Sequence, residues 1–150
     1  MICEDILEST RYVVENSKFV KIHYEKIDDF CNQMDHTHIE HWIKVAPFDL
    51  SGLNDEERLK FLFVFNSMSF CYWRDPRWTV EYNSQKINGS FGMIAALGKA
   101  LEEGKPVLDF TYLSTIRKEE FADILKGNVE IPLLKERWQF VRQMAEVVNK

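Results

Sequence analysis

An almost unbroken apolar stretch runs from Phe61 to Trp73 and reads FLFVFNSMSFCYW. Asn54 precedes it as a favourable N-cap, and three acidic residues come next, where the dipole of a helix favours negative charge. The pattern therefore predicts a helix from about Asp55 to Phe70. Because apolar side chains cover every side of this helix, we expect it to be central and buried on nearly all faces.

Polar residues lie inside this apolar stretch at Asn66, Ser67 and Ser69. Burying an unpaired amide or hydroxyl costs roughly 1–3 kcal/mol. These side chains therefore either hydrogen-bond to neighbouring backbone or face a cavity that holds a ligand. The sequence leaves both interpretations open.

Helices are also predicted before this stretch. One is an amphipathic helix, predicted from apolar residues at the spacing i, i+3, i+4 and i+7. These residues are Ile27, Phe30, Cys31 and Met34. A weaker helical pattern extends from Asp5 to Val14, and we expect it to break near Ser9 and Thr10.

After the apolar stretch, a β-hairpin and further helices are predicted. The segment from Trp78 to Tyr82 alternates and is rich in β-branched and aromatic residues, and Asn83 and Ser84 turn the chain into a return strand that ends at Gly89. Glycine and proline mark the ends of three later helices, which run from Ser90 to Gly104, from about Lys118 to Lys126 and from Pro132 to Val148.

The order of these elements predicts a mostly α fold of the α+β class, with one small β-hairpin, in a single domain over residues 1–150. In the helix after the hairpin, the small residues Ala95 and Gly98 favour close packing of another element. A chain of 150 residues with 45% hydrophobic content is long enough for one domain with a substantial core.

Charge and cysteine content narrow the classes of function. The formal net charge of -5 argues against a sequence-independent grip on nucleic acid, so we expect no direct nucleic-acid partner. Cys3, Cys31 and Cys71 are widely spaced, and we expect them to be reduced, buried thiols in a cytoplasmic protein. No apolar run approaches the roughly 18–20 residues that a membrane span requires, so no membrane partner is expected.

A histidine cluster is the most visible candidate for metal binding. His36, His38 and His41, together with Asp35 and Glu40, could converge on zinc if the segment were helical. The spacing is not that of a metalloprotease motif, and ordinary surface or loop histidines are the favoured interpretation of the cluster. We therefore predict no metal and no cofactor.

Aromatic residues near polar side chains offer a second candidate, since such groups hold planar heterocycles by stacking and edge hydrogen bonds. They are Phe70, Tyr72, Trp73, Trp78, Tyr82 and Tyr112. An aromatic-rich core is the alternative explanation. The segment from Asp109 to Thr115 is interpreted as a connector in which Ser114 or Thr115 caps the next helix.

Four segments of the chain, taken in order, resemble the queuosine salvage family: LESTRYVVENSKFVKI, FLFVFNSMSFCYW, WTVEYNSQKINGSFGMIAALGKALEEGKPVLDFTYLSTI and IPLLKERWQFVRQMAEVV. The resemblance implies a fold similar to that of helical DNA glycosylases. It also implies an N-glycosylase, or nucleoside hydrolase, that acts on queuosine 5′-phosphate and releases the 7-deazaguanine base queuine. The chain resembles the N-terminal half of that family only.

The chain departs from the family pattern at positions that matter for catalysis. The central helix of the family carries D-[ST]-[LI]-N-F-x-[FY]-W, so Asn66 stands where an aspartate is expected and Ser69 where an asparagine is expected. The C-terminal motifs that resemble ADYRxPQ and DYxLW do not occur. Breaking an N-glycosidic bond builds positive charge on the ribose, so a carboxylate is the expected catalytic group. Asp75 and Asp109 are present, but the resemblance assigns no catalytic residue.

The resemblance implies a site for a small-molecule nucleotide or a 7-deazaguanine base. Aromatic residues would wall the base, polar residues would bond to it or to the sugar, and a further pair would line the opposite side. The predicted substrate-binding residues are Asn66, Ser69, Phe70, Tyr72, Trp73, Tyr112 and Ser114. Arg137 is the predicted phosphate ligand, with a surface ion pair on the last helix as its alternative.

Three accounts of function follow from this resemblance. In the first, the chain is the N-terminal half of a glycosylase, either as a piece of a longer protein or as one part of a split enzyme whose other half is a second chain. In the second, it binds a queuine-like base or nucleotide without cleaving it, and in the third it is a protein interaction module. A homo-oligomer is the other partner that we expect. The first account predicts an exposed apolar patch where the absent half would dock.

Overall fold

The computed structural model describes residues 4–19, 21–33 and 42–149. The chain divides into two compact units, residues 1–40 and residues 41–150. The described residues of the first unit form helix α1, Glu4–Asn16, and helix α2, Tyr24–Gln33. Helix α1 is continuous, so the predicted break near Ser9 and Thr10 is wrong. The single domain over the whole chain stays a prediction.

The described residues of the second unit are mostly helical, which confirms the predicted class. After short 3-10 helices at Trp42–Val45 and Leu50–Gly52, the elements are α3 Asp55–Met68, β1 Thr79–Tyr82, β2 Gln85–Asn88, α4 Gly89–Glu102, α5 Phe110–Thr115, α6 Lys118–Ile124 and α7 Leu134–Val148. None of the helices in the described ranges combines the length and apolar content that crossing a bilayer requires.

Helix α3 begins as predicted but is buried differently. The Asn54 side chain accepts a hydrogen bond from the Glu57 amide at 3.0 Å, and the Glu57 carboxylate accepts one from the Asn54 amide at 2.9 Å. Phe61 is fully buried, yet Leu59 is 55% exposed and Phe63 is 46% exposed. The expectation of burial on nearly all faces is therefore wrong, because one side of α3 has no partner in the described structure.

Helix α4 is the most enclosed helix of the second unit. Eight of its residues are buried, and the ring of Phe48 lies where a Cβ atom on Gly98 would have to stand. The predicted close packing at Gly98 is therefore confirmed. A larger residue at this position would displace the Phe48 ring from the core.

The predicted hairpin forms, with its turn at Asn83 and Ser84, and lies against α4. Val80 faces Ile87 across the two strands, and the turn residues Asn83 and Ser84 both adopt positive φ angles, 49° and 61°. Trp78, just before β1, is almost fully buried, and its indole Nε1 donates to the carbonyl oxygen of Leu125 at 3.1 Å. This bond ties the start of the hairpin to the end of α6.

The segment from Asp109 to Thr115 is a helix rather than the predicted connector. The Asp109 carboxylate accepts from the amide of Thr111 at 2.8 Å and so caps α5. The hydroxyls of Ser114 and Thr115 donate to carbonyl oxygens of α5 itself. Neither residue caps α6.

Candidate functional site

The turn that follows α3 is fixed by a buried cation, Arg137 of α7, whose exposed fraction is 0%. Its Nε donates to the carbonyl oxygen of Pro132 at 2.9 Å. One terminal nitrogen donates to the carbonyl of Met68, and the other donates to those of Phe70 and Cys71. Cys71, in the segment that leaves α3, has a left-handed backbone, with φ of 44°. The arginine thus ties the last turn of α3 to the segment that leaves it.

Two aromatic rings enclose the guanidinium. Its central carbon lies 4.5 Å from the ring centroid of Phe70 and 4.9 Å from that of Tyr72. Within the described residues no carboxylate reaches ion-pair distance, so carbonyl dipoles and ring faces stabilise the charge. Burial lowers the pKa of Arg137, but an arginine remains protonated in proteins.

Tyr72 is held on both its polar and its apolar sides. Its hydroxyl lies 2.9 Å from the Ser69 hydroxyl, and its ring stacks on Trp78 with centroids 6.3 Å apart and planes 14° apart. Burial raises the pKa of Tyr72, while the bond to Ser69 and the charge of Arg137 act in the opposite direction. The phenol therefore serves as a neutral hydrogen-bonding group and a stacking surface.

A cleft of about 240 Å³ opens beside this turn. It is lined by Tyr72, Trp73, Arg77, Trp78, Asn88 and Gly89. Trp73 is 84% exposed, so its indole presents a free face to solvent. Arg77 and Asn88 are exposed, and their side chains form no hydrogen bond or ion pair with any described residue. The cleft therefore combines a stacking surface, an amide and a cation that has no described partner.

The structure does not bring Asn66 to this cleft. Asn66 lines a separate groove of about 400 Å³ on the α3 and α7 side, and its Nδ2 donates to the carbonyl oxygen of Leu62 at 2.8 Å. Ser67 likewise donates to Val64 at 2.7 Å. Of the two interpretations of these polar residues, bonding to neighbouring backbone is the one observed.

The remaining predicted residues also lie outside the cleft lining. Ser114 is bonded within α5. Burial, and then the charge of Glu120, raises the pKa of Tyr112, which packs against the core. Phe70 contacts Phe140 edge-on, with centroids 5.6 Å apart. Tyr72 and Trp73 are thus the predicted residues that line the cleft, and the substrate roles of the whole set stay predictions.

Arg137 is not the surface ion pair that was its alternative interpretation. Its role as a phosphate ligand stays a prediction, and its geometry gives that role no support, because Nε and both terminal nitrogens already donate to carbonyl oxygens. Arg77 and Asn88 were not predicted as site residues. They line the same cleft because the hairpin pairs β1 with β2, and no local sequence motif predicts that they lie close together.

Metal and thiol chemistry have little support in the described residues. No cluster of three metal-binding side chains occurs there, and His36, His38 and His41 lie outside them. Cys71 is half-buried, whereas Cys31 is exposed, so the expectation of buried thiols is wrong for Cys31. Cys3 also lies outside the described residues.

Comparison with known proteins decides the family. Residues 50–150 match the family model described as queuosine salvage protein. The chain belongs to the queuosine salvage family. It is 31% identical over 146 residues to a queuosine 5′-phosphate N-glycosylase/hydrolase of Sphaerobacter thermophilus, covering 95% of this chain and 44% of that protein. It is 26% identical over 150 residues to the Mus musculus protein of the same name, covering 94% of this chain and 44% of that protein.

This queuosine salvage chain spans less than half the length of these relatives. Within the described residues, no aspartate or glutamate lines the aromatic cleft. Asp109 is engaged in capping α5, and Asp75 is exposed and outside the cleft lining. The cleft of this family member therefore offers binding groups without a carboxylate.

Proposed function

We propose that this chain is the base-holding part of a queuosine 5′-phosphate N-glycosylase/hydrolase, and that cleavage requires side chains beyond these 150 residues. The names of the relatives supply the substrate class. The observation that carries the proposal is the free indole face of Trp73, beside a turn that Arg137 fixes.

The chemistry of the cleft suits a nucleotide with a planar base. Stacking of a base on an aromatic side chain contributes about 1–3 kcal/mol, and the Asn88 amide can donate to and accept from the edge of the base. Arg77 suits a phosphate because its guanidinium is exposed and pairs with no residue in the described ranges. Trp73 and Asn88 would thus contact the base of the proposed substrate, and Arg77 would contact its phosphate.

Among the described residues that line the cleft there is no carboxylate, which supports binding without cleavage by this chain alone. The bond to the base breaks as positive charge develops on the ribose, and a nearby carboxylate stabilises that charge. The positive charge of Arg77 would instead oppose the positive charge that develops on the ribose. The relatives contain further residues with no counterpart in this chain, and we assign the catalytic carboxylate to that remainder.

Calorimetric titration of the chain with queuosine 5′-phosphate and with queuine tests the proposal, with mass spectrometry to detect released queuine. Both ligands should bind without release. Trp73→Ala should weaken binding of both by about 5- to 150-fold, the equivalent of 1–3 kcal/mol. Arg77→Met should weaken the binding of queuosine 5′-phosphate and leave the binding of queuine unchanged.

Phe63→Ala is the matched control, because Phe63 is an exposed aromatic that lines the other groove. Its affinity should equal that of the unaltered chain. Loss of binding in Phe63→Ala but not in Trp73→Ala would place the base in the groove that Phe63 lines and would contradict the proposal. Release of queuine by the unaltered chain would overturn the assignment of the carboxylate to absent residues.

A further inference from the structure

Helices α3 and α7 together present an apolar face to solvent, here called the α3/α7 face. Its exposed side chains are Leu59 at 55%, Phe63 at 46%, Phe140 at 49%, Val147 at 70% and Val148 at 45%. Leu59 and Phe63 are spaced i, i+4 on α3, and Phe140 and Val147 are spaced i, i+7 on α7, so each helix contributes one stripe. Contiguous apolar surface of this kind marks a site of interaction.

A groove of about 400 Å³ runs along this face. Leu59, Leu62, Phe63 and Met144 supply its apolar walls. Its polar lining residues are Asn66 and Ser67, whose amide nitrogen and hydroxyl donate to carbonyl oxygens of α3. Two neighbouring helices with an apolar groove between them form the surface into which a third amphipathic helix packs.

We propose that the α3/α7 face is the docking surface for the part of the queuosine salvage fold that has no counterpart in this chain. The two relatives align with 95% and 94% of this chain, but with 44% of their own length. More than half of each relative therefore has no counterpart in this chain. The α3/α7 face supplies the unpartnered apolar surface that packing of that remainder requires.

This inference rests on family membership and on the exposed face, and it is independent of the base-binding cleft. Its test is a chimera in which this chain replaces the matched part of the Sphaerobacter thermophilus relative, with the remainder of that enzyme retained. Thermal unfolding is measured for the chimera and for the 150-residue chain. Phe63→Glu and Val147→Glu are introduced into both.

Each variant should lower the melting temperature of the chimera by roughly 5–10 °C more than that of the chain, because the new carboxylate is buried only in the chimera. Phe91→Glu is the matched control, since Phe91 is 38% exposed on α4 and lines neither cavity. Its shift should be the same in both proteins.

Equal shifts for Phe63→Glu in the two proteins would overturn the proposal. So would a chimera that fails to fold while the parent enzyme folds. Light scattering supplies the third measurement. A dimer of the unaltered chain that Phe63→Glu converts to a monomer would assign the α3/α7 face to a second copy of this chain instead.

Discussion

At the scale of single residues, Arg137 shows how a buried cation can shape a cleft that it does not itself line. Desolvating a charge is costly unless hydrogen bonds and an opposing charge compensate. Here the compensation comes from carbonyl oxygens at the end of α3 and from the rings of Phe70 and Tyr72. The same contacts set the position of Tyr72, and through it the wall of the cleft next to Trp73.

Replacing Arg137 with methionine should therefore destabilise the chain strongly. We expect Arg137→Met to lower the free energy of unfolding by about 3–5 kcal/mol, because buried carbonyl groups lose their donors. Arg142→Met on the same helix is the control. Arg142 is partly exposed, its Nε donates to the Ser114 carbonyl oxygen, and its guanidinium lies over the Trp138 ring. Its loss should therefore lower the free energy of unfolding by about 1 kcal/mol.

Urea denaturation followed by circular dichroism measures both values. Equal losses for the two variants would show that the carbonyl contacts of Arg137 contribute no more than a surface arginine does. The geometry described for the turn after α3 would then not explain its stability.

Leu133, the residue before α7, holds a left-handed backbone with φ of 55°. Such a conformation is unfavourable for a residue with a Cβ atom and is readily adopted by glycine. Leu133→Gly should raise the free energy of unfolding by about 0.5–1 kcal/mol, since the leucine side chain is 45% exposed and packs little. Leu133→Ala retains the unfavourable backbone and should give no gain in the same denaturation experiment.

At the scale of elements, the sequence predicted where helices begin and end better than which of their faces are buried. The cap of α3 at Asn54 depends on adjacent residues and was predicted correctly. The burial of Phe63 depends on whether another element covers that side of α3, and no local pattern contains this information. Helix α5 was missed because six residues rich in threonine and serine resemble a connector until Asp109 is seen to cap them.

The hairpin is joined to α4 by a bond whose strength should depend on pH. The Tyr82 hydroxyl donates to a Glu102 carboxylate oxygen at 2.7 Å. Burial, followed by the bond to Glu102 and its charge, raises the pKa of Tyr82 to about 12. An unfolded tyrosine titrates near pH 10, so between about pH 10 and 12 the unfolded chain loses this proton first.

The stabilisation by Tyr82 is therefore complete below about pH 10 and is lost as the pH rises towards 12. Tyr82→Phe lacks both the bond and the titration. The difference in unfolding free energy between the unaltered chain and Tyr82→Phe should shrink across that interval. Other tyrosines titrate in both proteins and cancel, so a constant difference would rule out the raised pKa.

At the scale of the whole molecule, the cleft joins segments that are distant along the chain. Tyr72 and Trp73 belong to a sequence block that attracted attention because it is aromatic and partly polar. Arg77 and Asn88 lie on either side of the hairpin and become neighbours of that block only through packing. The aromatic half of the candidate site was thus accessible to prediction, whereas its polar half depends on tertiary structure.

Within the described part of the chain, the groups that shape the cleft, including Arg137, belong to the second unit, residues 41–150. The buried apolar residues of the described structure also lie between Leu50 and Ala145. A chain of residues 41–150 should therefore fold cooperatively. It should also keep the proposed affinity for queuosine 5′-phosphate within about twofold, since a change below about 0.5 kcal/mol is small beside the stacking contribution. Residues 1–40 alone should show no cooperative unfolding, because no residue of α2 is buried. Circular dichroism and calorimetry on both fragments measure these properties, and a tenfold loss of affinity in the longer fragment would show that the first unit takes part in binding.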